Sequence, residues 1–500
     1  MKILMVCSEA VPFAKAGGLG DMVSALSIVL AKMGHDVRIV LPRYYSIDRS
    51  ALEHLEGALG VPVGGGEEWC GVYSAGLPGA APGSPVGVYF IDHEAYFGRD
   101  GGLYGNGFEP DYLDNPRRFT FFCRAAFQLC RKLDWYPDVL HAHDWMAALA
   151  PVYLRYAERG VPNSLGGFEK TASVLTIHNL GYQGIYSKAN FDYTGLGWDV
   201  FYRAGFEDWS MMNFLKAGLY SADKLNTVSP NYAEETKTGE QGFRLDGVLR
   251  YRSADYSGIL NGIDYGVWSP ENDGHIPKPY SAADMSGKAL AKLELQRRFG
   301  LGEDPGVPVI GMVTRLTEQK GVGELFGAGY GSAWKICSEM RLQLVVLGSG
   351  EAWCENEVMN LASKLPNMGA RIGYSEELSH LIEAGSDFFL MPSRYEPCGL
   401  NQMYSLAYGT LPIVRRTGGL LDTVENYDEN AGEGTGFMFN ALTPGAIRDT
   451  VDWAVWTWHN RPDSIAAMRA RAMAKDFSWE ESARKYAGLY EAALGRLAGG

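Results

Sequence analysis

The chain has 500 residues, too many for one hydrophobic core, which predicts two domains or one large domain with insertions. Its formal net charge is −14, and it contains no run of five or more basic residues. This acidic balance disfavours a nucleic-acid partner and binding to an anionic membrane surface. The seven cysteines form no Cys-x-x-Cys pair, a pattern typical of reduced thiols in a cytosolic protein.

The chain begins with a short apolar run that stops at Ser8 and Glu9. This run is too short for a signal peptide and is predicted to be a buried strand. No apolar stretch approaches the length of about 20 residues that a transmembrane helix needs. We therefore expect a soluble, cytoplasmic protein with no membrane partner.

Short β-rich runs alternate with helical patterns along the chain, as is typical of parallel sheets covered on both faces. In the first half, strands are predicted at Ile3–Cys7, Val37–Leu41, Val86–Ile91, Val139–Ala142, Val174–Ile177 and Lys224–Val228. Helices are predicted between several of them, at Met22–Met33, Arg117–Leu133 and Met146–Glu158. In the second half, the predicted strands are Val309–Val313, Leu344–Leu347, Arg371–Ile372, Phe388–Met391, Ile413–Val414 and Gly436–Phe439. Helices at Pro444–Asn460, Pro462–Lys475 and Trp479–Leu497 are predicted to close the chain. The pattern favours an α/β protein of two doubly wound domains that divide near residues 259–264, with a surface loop at Gly76–Gly87.

A glycine-rich loop, Lys15-Ala16-Gly17-Gly18-Leu19-Gly20-Asp21, lies between the first predicted strand and helix. Its glycines would let a ligand oxygen approach the main chain, and the helix N-terminus favours negative charge. Lys15 adds a mobile cation. The glycines do not follow the G-x-G-x-x-G fingerprint, so a nicotinamide cofactor is disfavoured. A merely structural turn is the alternative.

Two further predicted strands end in polar residues that would meet at one edge of a parallel sheet. Asp144 and His178 are candidates for orienting hydroxyl groups, and Trp145 or Tyr182 is a candidate for stacking on a sugar face. A hydrogen-bonded structural histidine is the alternative. His141 and His143 could face the same way on a strand, but no Cys or Glu stands near them, which disfavours zinc.

The second half of the chain places cations after a predicted strand. Arg315 and Lys320 supply a guanidinium fork and a compact ammonium that could clamp a diphosphate and stabilise it as it leaves. A solvated helix start is the alternative. The turn at 415–419 is a further anion-binding candidate, and Tyr374 is a candidate for stacking on a base, with a core or surface tyrosine as its alternative.

Glu396 lies in the loop Pro392-Ser393-Arg394-Tyr395-Glu396-Pro397-Cys398-Gly399-Leu400, between a predicted strand and a predicted helix. A carboxylate beside a diphosphate clamp is electrostatically costly unless a cation-like centre forms between them. An oxocarbenium ion at the anomeric carbon of a sugar is such a centre. The loop therefore predicts cleavage of a nucleoside-diphosphate sugar in one active site assembled from two domains.

Taken in order from residue 1 to about 490, these motifs closely resemble those of bacterial glycogen synthases and plant starch synthases. The resemblance implies the glycosyltransferase B fold, with two Rossmann-like domains facing each other across a cleft. Since the last helix of that fold usually crosses back, the acceptor-side domain would span residues 1–260 plus 477–500. The donor-side domain would span residues 261–476. Tyr404 stands eight positions after Glu396, where related eukaryotic enzymes carry a second glutamate, which is consistent with the bacterial and plant branch.

The resemblance also implies a reaction and its partners. Glucose would pass from ADP-glucose to the non-reducing 4-hydroxyl of glycogen or another α-1,4-glucan primer, with retention of anomeric configuration. No cofactor or metal is expected, because the chain has no Asp-x-Asp triplet and two cations would take over the task of neutralising the diphosphate. The alternatives are a glucosyltransferase of the same fold with another donor or a small acceptor, and a non-catalytic glucan-binding protein.

Residue roles follow from the same resemblance. The catalytic residues would be Glu396, Asp144, His178, Arg315 and Lys320. The donor-binding residues would be Lys15, Gly17, Gly18, Asp21, Tyr374, Cys398, Gly399, Leu400, Asn401, Thr417 and Gly418. The predicted helix after Lys320 is unusually rich in glycine, which leaves its boundaries open.

Overall fold

The computed structural model describes residues 1–106, 109, 111–161 and 164–499. The chain forms two compact units. The N-terminal unit comprises Met1–Gly262 and Trp479–Gly500, and the C-terminal unit comprises Ile263–Ser478. The predicted divisions, after residues 260 and 476, fall just before these bounds.

The N-terminal unit is built on a mainly parallel sheet. The strands of this sheet are β1 Lys2–Val6, β2 Asp36–Pro42, β3 Glu53–His54, β4 Leu59–Val63, β5 Gly66–Gly76, β6 Gly87–Asp92, β7 Val139–His143, β8 Ala172–Ile177, β12 Lys224–Thr227 and β13 Tyr256–Gly258. Their order is β13-β12-β8-β7-β1-β2-β6-β5-β3, with β4 paired to β5. The strands β9 Ile185–Ser187, β10 Glu207–Asp208 and β11 Met211–Asn213 form a separate small antiparallel sheet in the order β10-β11-β9. Its helices up to residue 251 are α1 Gly18–Lys32, α2 Glu94–Phe97, α3 Asn115–Lys132, α4 Asp144–Ala147, α5 Leu149–Tyr153, which runs on into a π-helix at Leu154–Glu158, α6 Trp198–Arg203, α7 Phe214–Ser221, α8 Pro230–Glu235 and α9 Asp246–Tyr251.

The strands of this unit that the sequence predicts are those that are buried and mainly apolar in the structure. Four successive residues of β1, Ile3 to Val6, are buried, as expected for a strand covered on both faces by helices. The antiparallel extension formed by β3, β4 and β5 was not predicted, because β5 carries Gly, Glu and Ser among its apolar residues. The predicted surface loop at Gly76–Gly87 connects β5 to β6.

The C-terminal unit is built on a six-stranded parallel sheet. Its strands are β14 Val309–Leu316, β15 Gln343–Gly350, β16 Met368–Ile372, β17 Phe388–Met391, β18 Leu411–Arg415 and β19 Phe437–Phe439. They lie in the order β16-β15-β14-β17-β18-β19. Its helices are α10 Ser286–Arg298, α11 Val322–Phe326, α12 Ala333–Glu339, α13 Ala352–Ala362, α14 Glu376–Gly385, α15 Asn401–Ala407, α16 Gly418–Thr423, α17 Pro444–Asn460 and α18 Pro462–Met473. The glycine-rich stretch after Lys320 is not one helix, since α11 ends at Phe326 and a turn closed by the Gly331 N–H and the Gly327 carbonyl precedes α12.

The last helix, α19 (Trp479–Gly499), belongs to the N-terminal unit. It buries Tyr486 and Tyr490 against the central sheet. The Tyr490 hydroxyl lies 2.8 Å from Nδ1 of His141, and the Tyr486 hydroxyl accepts a hydrogen bond from Asn226 at 2.9 Å. Within the described residues, no helix is both long enough and apolar enough to cross a membrane.

Candidate active site

Three loops at the carboxyl ends of β14, β17 and β18 form one scaffold in the C-terminal unit. The Arg394 N–H donates to the Gln319 carbonyl at 2.8 Å, which joins the loop after β17 to the loop after β14. The Gly419 N–H donates to the Glu396 carbonyl at 3.0 Å, which joins the loop after β18. Because main-chain hydrogen bonds join all three loops, the starting points of their side chains are fixed relative to one another.

Glycine is required at two points where these loops touch. Gly321 and Gly418 have φ values of 71° and 45°, in the left-handed region. A Cβ at Gly321 would collide with the carbonyl oxygen of Pro392, and one at Gly418 with the carbonyl oxygen of Glu396. Their small size therefore brings the main chains close enough to position Glu396.

Glu396 and Lys320 form a direct ion pair. Nζ of Lys320 lies 2.5 Å from Oε2 of Glu396, and the side chains are only 16% and 7% exposed, respectively. Ser393 donates a second hydrogen bond to the same carboxylate oxygen at 3.0 Å. Sequence reasoning expected the two charges on opposite sides of a scissile bond, whereas in the structure the lysine neutralises the buried glutamate directly. A buried carboxylate needs such a partner because desolvation of an unpaired charge is costly.

Two arginines of these loops, Arg315 and Arg415, differ in what they contact. Arg315 is exposed, and its guanidinium lies 3.4 Å from the side-chain oxygen of Gln319. Arg415 donates from Nε to the Asn440 carbonyl at 3.1 Å and from Nη1 to the Arg394 carbonyl. Arg315 therefore keeps most of its donors for a ligand, while Arg415 supports the main chain.

The predicted donor-binding residues of this unit lie on the same scaffold, with one exception. Cys398 and Thr417 are buried, Gly399 has a φ of 71°, and Leu400 precedes Asn401, the first residue of α15. Nδ2 of Asn401 donates to the Val313 carbonyl at 3.1 Å, which ties α15 to β14. The exception is Tyr374, which follows β16 and is 76% exposed. A residue that stacks on a ligand must be exposed before the ligand binds.

In the N-terminal unit, Glu9 anchors the glycine-rich loop. Its Oε2 accepts the N–H groups of Ala16 and Gly17 at 2.6 and 2.9 Å, and its Oε1 accepts the Tyr104 hydroxyl at 2.6 Å. Sequence reasoning missed Glu9 and expected the loop N–H groups to await a ligand oxygen. An acidic residue directly after the first buried strand was the available signal.

The rest of that loop is open. Lys15 and Asp21 form an ion pair of 2.8 Å with side chains 51% and 34% exposed. Gly17 and Gly18 are exposed, and α1 begins at Gly18. An exposed ion pair of this kind contributes little to stability, so both side chains can rearrange when a ligand binds.

Asp144 and His178 meet at the carboxyl ends of the neighbouring strands β7 and β8. Asp144 has a φ of 56°, and its Oδ1 accepts the His178 N–H at 2.7 Å. Burial raises the pKa of Asp144 to about 7, although hydrogen bonds from the His178 and Asn179 N–H groups oppose this shift. Burial also lowers the pKa of His178 to about 3, so its imidazole is neutral at physiological pH.

Two neighbouring residues, His141 and Trp145, are structural. Both ring nitrogens of His141 have partners, since Nδ1 lies 2.8 Å from the Tyr490 hydroxyl and Nε2 lies 2.6 Å from the Thr176 hydroxyl. His141 therefore has no nitrogen left for a metal. Trp145 is buried and packs edge-on against Phe119 with ring centroids 4.9 Å apart, so the prediction that Trp145 stacks on a sugar is not supported, whereas Tyr182, the other candidate, is 54% exposed.

Comparison with known proteins identifies the class. The family model for the starch synthase catalytic domain matches residues 2–251, and the model for glycosyl transferases group 1 matches residues 295–468. A glycogen synthase from Treponema denticola is 59% identical over 100% of this chain and 99% of that protein. Glycogen synthase 1 from Geobacter metallireducens is 50% identical over 100% of this chain and 97% of that protein.

A solved structure agrees with these matches. The catalytic domain of starch synthase IV from Arabidopsis thaliana, bound to ADP and acarbose, is 30% identical, covers 99% of both chains and has a TM-score of 0.87. Two Rossmann-like units with this similarity define a hexosyltransferase of the glycosyltransferase B fold. Within that class, the chain belongs to the glycogen synthase and starch synthase family.

Proposed function

We propose that the chain transfers glucose from ADP-glucose to the non-reducing 4-hydroxyl of an α-1,4-glucan with retention of anomeric configuration. Family membership supports this reaction, and so does the similarity to a starch synthase whose structure is bound to ADP and acarbose. The observation that carries the proposal is the buried Lys320–Glu396 pair on a scaffold of loops that also presents Arg315.

The C-terminal unit is assigned to the donor. Arg315 and Lys320 would bind the diphosphate, since a guanidinium fork and an ammonium both donate to phosphate oxygens. Main-chain groups at Gly399, Leu400 and the 417–418 turn would add contacts, Asn401 would support them, and Cys398 would line the pocket. Tyr374, which is exposed beyond β16, would stack on the adenine.

Charge redistribution around Lys320 explains how this scaffold would promote bond cleavage. Before the donor binds, Lys320 neutralises Glu396. A bound diphosphate competes with Glu396 for the Lys320 ammonium. Its interaction with the ammonium becomes stronger as the C–O bond breaks and negative charge moves to the leaving group. Glu396 is then left to stabilise the positive charge that develops at the anomeric carbon. The pair therefore favours the transition state over the ground state.

The N-terminal unit is assigned to the acceptor side and to the glucosyl group. His178 is neutral, and its Nε2 lies 3.1 Å from Nδ1 of His143, which leaves its own Nδ1 for a sugar hydroxyl. Asp144, with a pKa of about 7, can accept or donate a hydrogen bond near neutral pH. Lys15, Gly17, Gly18 and Asp21, in the loop that Glu9 anchors, would contact the donor.

No cofactor and no metal ion is proposed for the reaction, because Arg315 and Lys320 supply the positive charge that a metal would otherwise bring to the diphosphate. A cytoplasmic location is proposed as well. All seven cysteines are buried thiols outside any disulfide, which suits a reducing compartment.

A donor comparison tests the proposal. Glycogen extension should proceed with ADP-glucose at a kcat/KM at least about tenfold above that with UDP-glucose. A preference for UDP-glucose would contradict the donor assignment. ADP release that does not depend on added glucan would contradict the acceptor assignment.

The role of Glu396 has its own test. Glu396→Gln should keep less than about a tenth of the wild-type kcat, a loss of more than about 1.4 kcal/mol of transition-state stabilisation. Glu425→Gln is the matched control, since it removes a glutamate that pairs with Lys475 at the surface of the same unit, and it should keep full activity. Higher residual activity in Glu396→Gln would refute the central role given to this carboxylate.

A further inference from the structure

A cluster of metal-binding side chains lies in the C-terminal unit, outside the three loops described above. His275, Glu376 and His380 each offer one ligand atom, and these atoms all lie within 4.8 Å of one another. Glu376 and His380 are one turn apart on α14, so they project from the same face of the helix. We propose that these three residues bind a divalent transition-metal ion, and that Zn²⁺ fits them best.

His380 is already oriented as a metal ligand. Its Nδ1 lies 2.9 Å from Oδ2 of Asp273, and both side chains are 1% exposed. Asp273 also accepts the Tyr408 hydroxyl at 2.6 Å. A carboxylate at Nδ1 holds the proton on that nitrogen and directs the Nε2 lone pair outward, which is the arrangement that supports histidine ligands in metal sites.

The other nitrogen of His380 lacks a partner. Nε2 is buried, and it has no hydrogen-bond partner among the residues that the structure describes. Buried polar atoms are almost always paired, and each exception calls for an explanation such as an ion. A metal ion bound at Nε2 would satisfy this atom.

The other two ligands are able to close around the ion. His275 and Glu376 are exposed, and their side chains show no hydrogen bond or ion pair within the described parts of the chain. A tetrahedral zinc site with bonds of about 2.0–2.1 Å separates its ligand atoms by about 3.4 Å. The ligand atoms already lie within 4.8 Å of one another, so small rotations of the two exposed side chains toward the fixed His380 would bring them to that spacing.

The donor set selects the metal. Two imidazole nitrogens and one carboxylate oxygen suit Zn²⁺, Co²⁺ or Ni²⁺, whereas Mg²⁺ and Ca²⁺ prefer sites made of oxygen atoms alone. Water would complete the coordination shell at the exposed side.

The bound ion would brace the unit. The Trp268 ring is stacked on His380, with centroids 3.9 Å apart, and on Tyr404 of α15, with centroids 4.0 Å apart. An ion held by His275 and by two residues of α14 would therefore strengthen the link between the segment at 268–275 and α14, which the stacking of Trp268 already extends to α15. We assign it a structural role, separate from the proposed glucosyl transfer, because Arg315, Lys320 and Glu396 take no part in it.

Zinc binding to the full-length chain tests the proposal. After EDTA treatment and removal of the chelator, Zn²⁺ is titrated against a chromophoric competitor. We expect one ion per chain with a Kd of about 1 μM or tighter and a rise in Tm on saturation. Co²⁺ should bind at the same stoichiometry, and its visible d–d absorption should be that of an ion with a low coordination number.

Variants of the two exposed ligands locate the site without disturbing the core. His275→Ala and Glu376→Gln should each weaken Zn²⁺ binding at least about tenfold and abolish the Tm rise. His459→Ala removes an exposed histidine of α17 in the same unit and should bind Zn²⁺ like the wild type. The assignment would be overturned if Zn²⁺ showed no saturable binding at concentrations below about 100 μM. It would also be overturned if His275→Ala, Glu376→Gln and His459→Ala all bound Zn²⁺ with the same affinity.

Discussion

The raised pKa of Asp144 predicts that this residue destabilises the N-terminal unit above neutral pH. Asp144 has a pKa of about 7 in the folded chain, against 3.8 for an ordinary aspartate side chain, because burial disfavours its charged form. Between pH 4 and pH 7 the unfolded chain ionises this carboxyl while the folded chain does not. Stability conferred by the neutral form is therefore complete below pH 4 and is lost as the pH rises to 7.

The magnitude follows from the same shift. At about 1.4 kcal/mol per pH unit, the loss amounts to about 4 kcal/mol in all, of which about 3 kcal/mol falls between pH 5 and pH 8. Asp144→Asn removes the ionisation. Asparagine keeps an Oδ1 acceptor for the His178 N–H and tolerates the φ of 56° at this position.

Scanning calorimetry at pH 5 and pH 8 measures the effect. The Tm of Asp144→Asn minus that of the wild type should increase by about 6 °C from pH 5 to pH 8, at about 2 °C per kcal/mol for a unit of this size. Asp199→Asn is the matched control, because its carboxylate is 66% exposed in a surface pair, and its Tm difference should not depend on pH. A Tm difference for Asp144→Asn that stays constant or shrinks with pH would refute the reasoning.

Three further predictions concern the loops. Lys320→Met should lower the free energy of unfolding by about 3 kcal/mol because Glu396 is left buried and unpaired. The double variant with Glu396→Gln should recover most of this stability while remaining inactive. Thermal unfolding of the single and double variants measures the effect, and strictly additive losses of stability would contradict the prediction. Gly418→Ala should lower kcat and cost at least about 2 kcal/mol of stability, since its Cβ would collide with a carbonyl oxygen. Gly445→Ala is the control, because this glycine lies in open space on the first turn of α17, and it should be neutral or stabilising. Thermal unfolding and initial-rate measurements on both variants check the prediction. Glu9→Ala should raise the KM for the donor at least about tenfold because two loop N–H groups lose their acceptor; initial-rate kinetics measure this, and an unchanged KM would show that the loop does not need the anchor.

The sequence was most informative where neighbouring residues decide the structure. The bounds of β17 and α17 agree with the predicted Phe388–Met391 and Pro444–Asn460, because an uninterrupted apolar run and a helix opened by Thr443 and Pro444 are local signals. The two-domain α/β architecture followed from the alternation of such segments. The extension of β3 to β5 and the small sheet of β9, β10 and β11 escaped prediction, because their strands are short or mixed in polarity and form through pairing with partners.

The sequence by itself determined which chemical groups the chain carries at the ends of its strands, including Glu396, Lys320 and Asp144. Only the tertiary structure decided what those groups contact. It paired Lys320 with Glu396 across 76 positions of chain, set Glu9 under the glycine-rich loop, and buried Asp144 so that its pKa rises. The physical reason is that local conformation depends on neighbouring residues, whereas charge pairing and desolvation depend on which distant segments the fold brings together.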